Sequence, residues 1–310
     1  MNFDEFKEQL RDGVCMRMGA DVTVCLQETE KNNEVKRWGL MIRTKDCAVS
    51  PVFYLEEMYR RCSEGESTIE QLSGEIADTY LREMEDKKKL DVSFFKDYEK
   101  VRKGLVIKAV GSSRNPEILQ IAPHKEQQNL SLLVYYLFQE GTMENGSILI
   151  RNEHLKLWNI TKEQLFEDAE KASPKNLPGA ILSMESMMEE MGHPFSWNEE
   201  EKKGAFDPMY ILSNDRKLFG AAAMFYPGVL ESFSERLGLS FYILPSSVHE
   251  VLLVPDYGQY RFSHYANNGA DLLHMVVQIN ATEVPPEEVL ADAVYYYDKN
   301  TRKMSILAEK

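Results

Sequence analysis

The sequence predicts an α+β fold in which two mixed helix and strand lobes, with largely antiparallel sheets, pack as one body. Two observations support this class. Stretches with apolar residues at helical spacing alternate with short runs rich in branched and aromatic residues. The β-type runs also lie close together along the chain, and short turns join them at least as often as helices do, which favours hairpins over parallel crossovers.

The first lobe is expected to span residues 1–174. An amphipathic helix is predicted at the N-terminus, a second from Pro51 to about Cys62, and a third after a cap at Ser67 or Thr68. A helical segment is also predicted over 152–173. The β-type runs of this lobe cover 21–26, 35–43, 105–110, 130–138 and 147–150.

The second lobe is expected to span residues 175–310, because Pro174 and Pro178 interrupt the chain near this boundary. Its predicted strands cover 180–184, 209–213, 239–244, 248–254, 293–297 and 304–307. Its predicted helices cover 227–237, 265–279 and 286–290. The chain around residue 175 does not resemble a Gly/Ser linker, so the lobes are expected to pack together.

Charge narrows the classes of partner. The 310-residue chain has a formal charge of −14, and its second lobe is the more acidic part. Binding to nucleic acid or to an anionic membrane needs clustered Lys and Arg, and the sequence contains no extended basic stripe. We therefore expect neither nucleic acid nor a membrane as a partner, and we expect a protein partner to bind through the acidic second lobe.

The cysteines and the N-terminus indicate a cytoplasmic protein. The four cysteines, at positions 15, 25, 47 and 62, contain no Cys-x-x-Cys pair, so we expect free thiols, no metal site and no cofactor. The N-terminus is acidic and lacks an apolar core segment, which is untypical of a signal peptide. The longest apolar run, 130–138, is about half of a membrane span of roughly 20 residues.

The most distinctive candidate site lies at a predicted strand entry in the second lobe. Ser246, Ser247, His249 and Glu250 place two hydroxyls, an imidazole and a carboxylate within five residues. In a continuous strand, Ser247 and His249 face the same side, as a nucleophile and its base require, and Glu250 faces the other side. A catalytic triad then needs a carboxylate from elsewhere in the chain.

A structural role for these four residues competes with catalysis. Hydroxyls after Pro245 can satisfy loop amides, and a histidine on an edge strand is commonly only hydrogen-bonded. A zincin is excluded because Leu253 stands where the second metal-binding histidine is required.

Further stretches are weaker candidates. Acid-only segments at 185–201 and 262–298 are expected to be solvated faces or a surface for a basic partner. His264 and His274 are expected to be core or interface residues, with His274 on the apolar side of its helix. Methionines at 184, 187, 188 and 191 form a stripe typical of a core. The turn 111–116 lacks the lysine and spaced glycines of a phosphate loop.

The run 241–254, read together with NATEVPPEEVLADAVYYYD at 280–298, resembles an uncharacterised family found largely in gut Clostridia-type bacteria and filed as a domain of unknown function. The resemblance covers nearly the whole chain. It implies a bacterial cytoplasmic protein whose whole length is one family unit, and it brings no activity, cofactor or catalytic residue.

Two functional hypotheses follow. The first is a non-enzymatic protein-binding or regulatory module, which predicts an exposed apolar patch larger than a few hundred square ångströms and no convergent polar cleft. The alternative is a serine-dependent hydrolase that uses Ser247 or Ser246 with His249, which predicts these side chains in a concave pocket with a carboxylate close to the imidazole. The sequence leaves open whether the protein is an enzyme.

Overall fold

The computed structural model describes residues 1–19, 22–44, 51–87, 93–138, 146–184, 186, 209–258 and 269–310. It groups them into two compact units, one formed by Met1–Phe95 and the other by the described residues from Lys96 to Lys310. The predicted lobe boundary near residue 175 lies inside the second unit, and the division into lobes at that point stays a prediction. No helix in the described ranges is long and apolar enough to cross a membrane.

In its described residues, the first unit packs three α-helices against a small antiparallel sheet. Its elements are α1 (Phe3–Met18), β1 (Val22–Glu30), β2 (Lys36–Thr44), β3 (Val52–Tyr54), α2 (Glu56–Ser63) and α3 (Ile69–Lys87). The strand order is β1-β2-β3. Phe6 and Leu10 of α1, Ile42 of β2 and Leu72 of α3 are buried in one core. These positions bear out the helical spacing of the apolar residues in α1 and α3.

One prediction in this unit is right and another is wrong. Thr68 caps α3 as predicted: its hydroxyl accepts from Gln71 N–H at 3.2 Å, and its own N–H donates to the Gln71 side chain at 2.9 Å. The helix expected to begin at Pro51 instead begins at Glu56. Residues Val52–Tyr54 pair with β2 as a strand. This pairing depends on the neighbouring sheet edge, and local propensity does not reveal such an edge.

The second unit contains two antiparallel sheets and six α-helices whose bounds lie within the described residues. The smaller sheet consists of β4 (Leu105–Gly111), β5 (His124–Gln127), β6 (Leu130–Leu137) and β7 (Ser147–Leu149). The larger consists of β8 (Ala180–Ser183), β9 (Tyr210–Ser213), β10 (Phe241–Ser247), β11 (Glu250–Pro255), β12 (Ala293–Asp298) and β13 (Lys303–Glu309). The helices are α4 (Tyr98–Val101), α5 (Pro116–Ile121), α6 (Asn152–Trp158), α7 (Lys162–Asn176), α8 (Val229–Leu237) and α9 (Ala270–Thr282).

All described strand pairs are antiparallel, and the larger sheet has the order β13-β12-β10-β11-β9-β8. The α+β class with largely antiparallel sheets is therefore confirmed. All six strands predicted in the second half are present within a few residues. The helix predicted over 286–290 is wrong, because these residues form a turn and a bridge to β10.

Side-chain hydrogen bonds join the two sheets of the second unit. Tyr295 of β12 donates to Asn129 Oδ1 at 2.6 Å, and Gln128 donates to the Met304 carbonyl of β13 at 2.8 Å. Arg114 forms an ion pair with Asp292 at 2.5 Å. These contacts connect the turns of the smaller sheet to the end of the larger one.

Ser173 of α7 makes a second connection inside this unit. Its side chain is fully buried. Its hydroxyl accepts from the Ile107 N–H of β4 at 2.9 Å and shares a 2.7 Å hydrogen bond with the Tyr226 hydroxyl. A buried polar group that lacks a hydrogen-bond partner destabilises the fold, so Ser173 contributes to stability by pairing with two such groups.

Ser173→Ala is expected to lower the free energy of unfolding by about 1–3 kcal/mol, because it leaves the Ile107 N–H and the Tyr226 hydroxyl without this partner. Urea denaturation of the purified protein measures the change. Ser305→Ala makes the same chemical change at an exposed position of β13 and is expected to stay within about 0.5 kcal/mol of wild type. Equal effects of the two substitutions would contradict the structural role of Ser173.

Candidate functional site

The predicted site residues lie at the tip of the β10–β11 hairpin. Ser247 and Glu250 form the last strand pair, and Val248 and His249 form the turn between them. The prediction that Ser247 and His249 face the same side of a continuous strand is therefore wrong. The chain reverses at these two residues, so the two-residue alternation of a strand does not apply across them.

Ser247 is 8% exposed, and its hydroxyl accepts from the His249 backbone N–H at 3.0 Å. The turn is further held by the Val248 N–H, which donates to the Glu288 carbonyl at 2.8 Å. Among the described contacts, the Ser247 hydroxyl has no hydrogen bond to the His249 ring. The pair is thus joined through the backbone, as in a turn stabilised by a serine.

The His249 ring is held by several groups. Its Nδ1 accepts from the Phe219 backbone N–H at 3.3 Å, and its Nε2 lies 3.9 Å from the Glu288 carboxylate. The ring also stacks on Phe219 with a centroid separation of 6.2 Å. Its backbone carbonyl accepts from the Ser213 hydroxyl at 2.7 Å. His249 therefore ties the hairpin tip to the segment that follows β9.

Glycine at position 220 permits this contact. A Cβ at Gly220 would lie 2.3 Å from the His249 carbonyl oxygen and 2.4 Å from Ser213 Oγ. Neither distance is tolerable for a larger residue, so Gly220 allows its 3-10 helix, Gly220–Phe225, to approach the hairpin closely.

Burial dominates the electrostatics of this cluster. Burial lowers the pKa of His249, the Glu288 carboxylate raises it, and the positive charge of Lys108 lowers it further. Burial raises the pKa of Glu250, while Lys217 lowers it and Glu288 raises it. Both shifts favour the neutral form of the group, as expected for ionisable side chains taken out of water.

These contacts favour a structural role for Ser247 and His249 in the described chain. Ser246 is half-buried beside them. The catalytic assignment of Ser246, Ser247, His249 and Glu250 stays a prediction. No group of three or more potential metal-binding side chains occurs in the described ranges.

The stability of the fold is expected to depend on His249 below about pH 6.5. Because the folded-state pKa lies below the ordinary value of 6.5, the unfolded chain takes up the proton first as the pH falls. The free energy of unfolding therefore decreases from pH 6.5 downwards. The variant His249→Asn keeps an acceptor for the Phe219 N–H and does not titrate. Between pH 7.5 and 5.5 its free energy of unfolding should therefore decrease less than that of wild type.

The variant Glu288→Gln should change the pH dependence of stability in the opposite direction. The Glu288 carboxylate raises the His249 pKa, so its removal should lower that pKa further and increase the loss of stability at low pH. Urea denaturation at several pH values measures both variants. Identical pH profiles for wild type and both variants would overturn this account of His249.

The structure also shows where several weaker candidate residues lie. Arg114, in the turn 111–116, pairs with Asp292, so this turn serves the contact between the sheets. His274 is exposed on α9, and its predicted position on the apolar side of the helix is wrong. The remaining predictions fall outside the described residues: His264, the acidic segment at 185–201 apart from Ser186, and the methionines at 187, 188 and 191.

A second candidate site, which the sequence did not single out, is a groove between strand β8 and helix α8. It has a cavity volume of about 480 Å³. Its walls are Gly179 and Ile181 on the strand side and Pro227, Gly228, Val229, Ser232, Phe233 and Arg236 on the helix side. We call this cavity the β8–α8 groove. Its volume falls in the range of small ligand-binding clefts.

The helix side of the groove follows from the spacing of α8. Val229, Ser232, Phe233 and Arg236 recur at intervals of three and four residues, so they share one face of the helix. Phe233 is 2% exposed and reaches the sheet, whereas Ser232 and Arg236 are exposed. This spacing was visible in the sequence, but the sheet order that makes β8 an edge strand was not.

A family model matches residues 3–299: that of a family of unknown function, DUF5688. The chain belongs to this family. The match confirms the resemblance to an uncharacterised family that covers nearly the whole chain, while a bacterial source stays a prediction. No curated protein and no solved structure matches the chain.

Proposed function

We propose that this protein is a non-enzymatic protein-binding module that takes up an extended segment of a partner along strand β8. The observation that carries this proposal is the β8–α8 groove beside the edge of the six-stranded sheet. In the described part of the chain, β8 pairs only with β9. An edge strand next to a helix offers backbone hydrogen bonds on one side and side-chain contacts on the other.

The register identifies the backbone groups available at this edge. Met184 N–H donates to the Met209 carbonyl at 2.9 Å, and this pair continues the register Leu182↔Ile211 and Ala180↔Ser213. Hydrogen-bonded pairs alternate with non-hydrogen-bonded pairs in an antiparallel ladder. The N–H and C=O groups of the two intervening residues therefore point away from β9. These residues are Ile181 and Ser183.

Side chains beside this edge suit an extended peptide. Ile181 and Val229 supply apolar contacts, and the exposed Ser232 and Arg236 supply polar ones. From Val229 to Arg236 the helix α8 advances by seven residue steps, or about 10 Å. That length accommodates about three residues of an extended chain.

The cellular setting forms part of the proposal. The groove lies in the acidic second half of the chain, where the sequence predicts a protein partner. Cys15, Cys25 and Cys62 are free thiols, which suits a reducing compartment such as the bacterial cytoplasm.

Selection from a phage-displayed library of random 12-residue peptides tests the proposal. Peptides selected on wild type should bind Ser232→Tyr at least about ten-fold more weakly, because a tyrosine at this exposed position fills the groove and removes contacts worth about 1.4 kcal/mol or more. Fluorescence anisotropy with labelled synthetic peptides measures the affinities.

Ser305→Tyr is the matched control, because Ser305 is exposed on β13 at the opposite edge of the same sheet. Its affinity should stay within about two-fold of wild type, a difference well below 1 kcal/mol. Failure to enrich any peptide, or equal binding to both tyrosine variants, would overturn the proposal.

A further inference from the structure

We infer that the segment bound in the β8–α8 groove is acidic and places a carboxylate on Arg236. This inference rests on the proposed function, and it names the chemistry of the partner. The occupant is an extended peptide with an Asp or Glu at one fixed position. The charges on α8 and the contacts that hold Arg236 favour such a ligand.

Arg236 is an exposed cation that lines the groove. Its guanidinium lies 5.4 Å from the Phe233 ring centroid, close enough for a cation–π contact. Within the described chain it has no ion pair or hydrogen bond. The guanidinium therefore keeps its N–H donors available for a ligand, and a carboxylate is the group that matches them best.

Phe233 limits where the Arg236 guanidinium lies. The Phe233 ring packs against Tyr210 and Phe241 at centroid separations of 5.0 Å each, and the side chain is 2% exposed. A fixed ring under the guanidinium reduces the conformational entropy that Arg236 loses when it binds a ligand. The site is thus partly preorganised before any ligand arrives.

The acids of α8 lie on another side of the helix. Glu231 and Glu235 both pair with Arg302, which follows β12. They are five and one residues before Arg236, whereas the groove face has the spacing of Val229, Ser232, Phe233 and Arg236. Thus α8 presents one cation and no acid to the groove.

This local charge is opposite to that of the whole chain, whose formal charge is −14. Charges separated by more than about 8–10 Å are largely screened at physiological ionic strength. A ligand in the groove therefore responds mainly to Arg236. The acidic lobe can accept an acidic segment here although its overall charge favours a basic partner.

Among the described side chains that form the groove walls, that of Arg236 carries the one charge. A single conserved acidic position, rather than a general excess of acid, is therefore the expected signature.

The test uses the peptides selected on wild type as defined probes. An Asp or Glu should be enriched at one position, and its replacement by Gln or Asn should weaken binding about ten-fold, as expected for loss of one charged hydrogen-bonded pair. Arg236→Gln should weaken binding of the acidic peptide by a similar factor. Arg236→Glu should bind the same peptide with Lys at that position better than with Glu.

Arg302→Gln is the matched control, because Arg302 is exposed and lies on the other side of α8. Its peptide preference should equal that of wild type. If Ser232→Tyr abolishes binding while the peptides carry no acidic position and Arg236→Glu binds them unchanged, the inference fails and the proposed function stands. If no peptide is enriched, both fail.

Discussion

The packing of Phe233 on the six-stranded sheet is the interaction on which the β8–α8 groove depends. Its ring contacts Tyr210 of β9 and Phe241 of β10, and Phe241 stacks on Tyr297 of β12 at 5.0 Å. Aromatic pairs of this kind contribute about 0.5–1.5 kcal/mol each beyond the burial of their surface. This row of rings holds α8 against the sheet. The exposed residues Ser232 and Arg236 of the same helix then line the groove beside β8 and leave that strand uncovered.

The hairpin tip and the groove use the same sheet in different ways. Ser247 and His249 direct their polar atoms to backbone groups of the turn and of Phe219, and Gly220 allows that contact. At the groove, the backbone edge of β8 and the guanidinium of Arg236 face solvent. Polar groups that already have partners stabilise a fold, and those that face an open groove are available to a ligand. The groove, and not the hairpin tip, therefore offers unpaired polar groups to a partner.

The sequence predicts most of the strands because their branched and aromatic residues carry the signal locally. It does not reveal β5, whose four residues His124–Gln127 include no apolar side chain and join the sheet through backbone pairing with β6. It also misplaces His249, because the period-two rule needs to know where the chain turns. The face of α8 is readable from its spacing, but its neighbour β8 follows from long-range strand order, which no local pattern contains.

Hydrogen exchange at the edge of β8 tests the central claim most directly. The Ile181 and Ser183 amides point away from β9, whereas the Leu182 amide already pairs with it. Addition of a selected peptide should slow exchange at Ile181 and Ser183 and leave Leu182 nearly unchanged, as measured by NMR on the 310-residue chain. Unchanged exchange at Ile181 and Ser183 with saturating peptide would contradict binding along this edge.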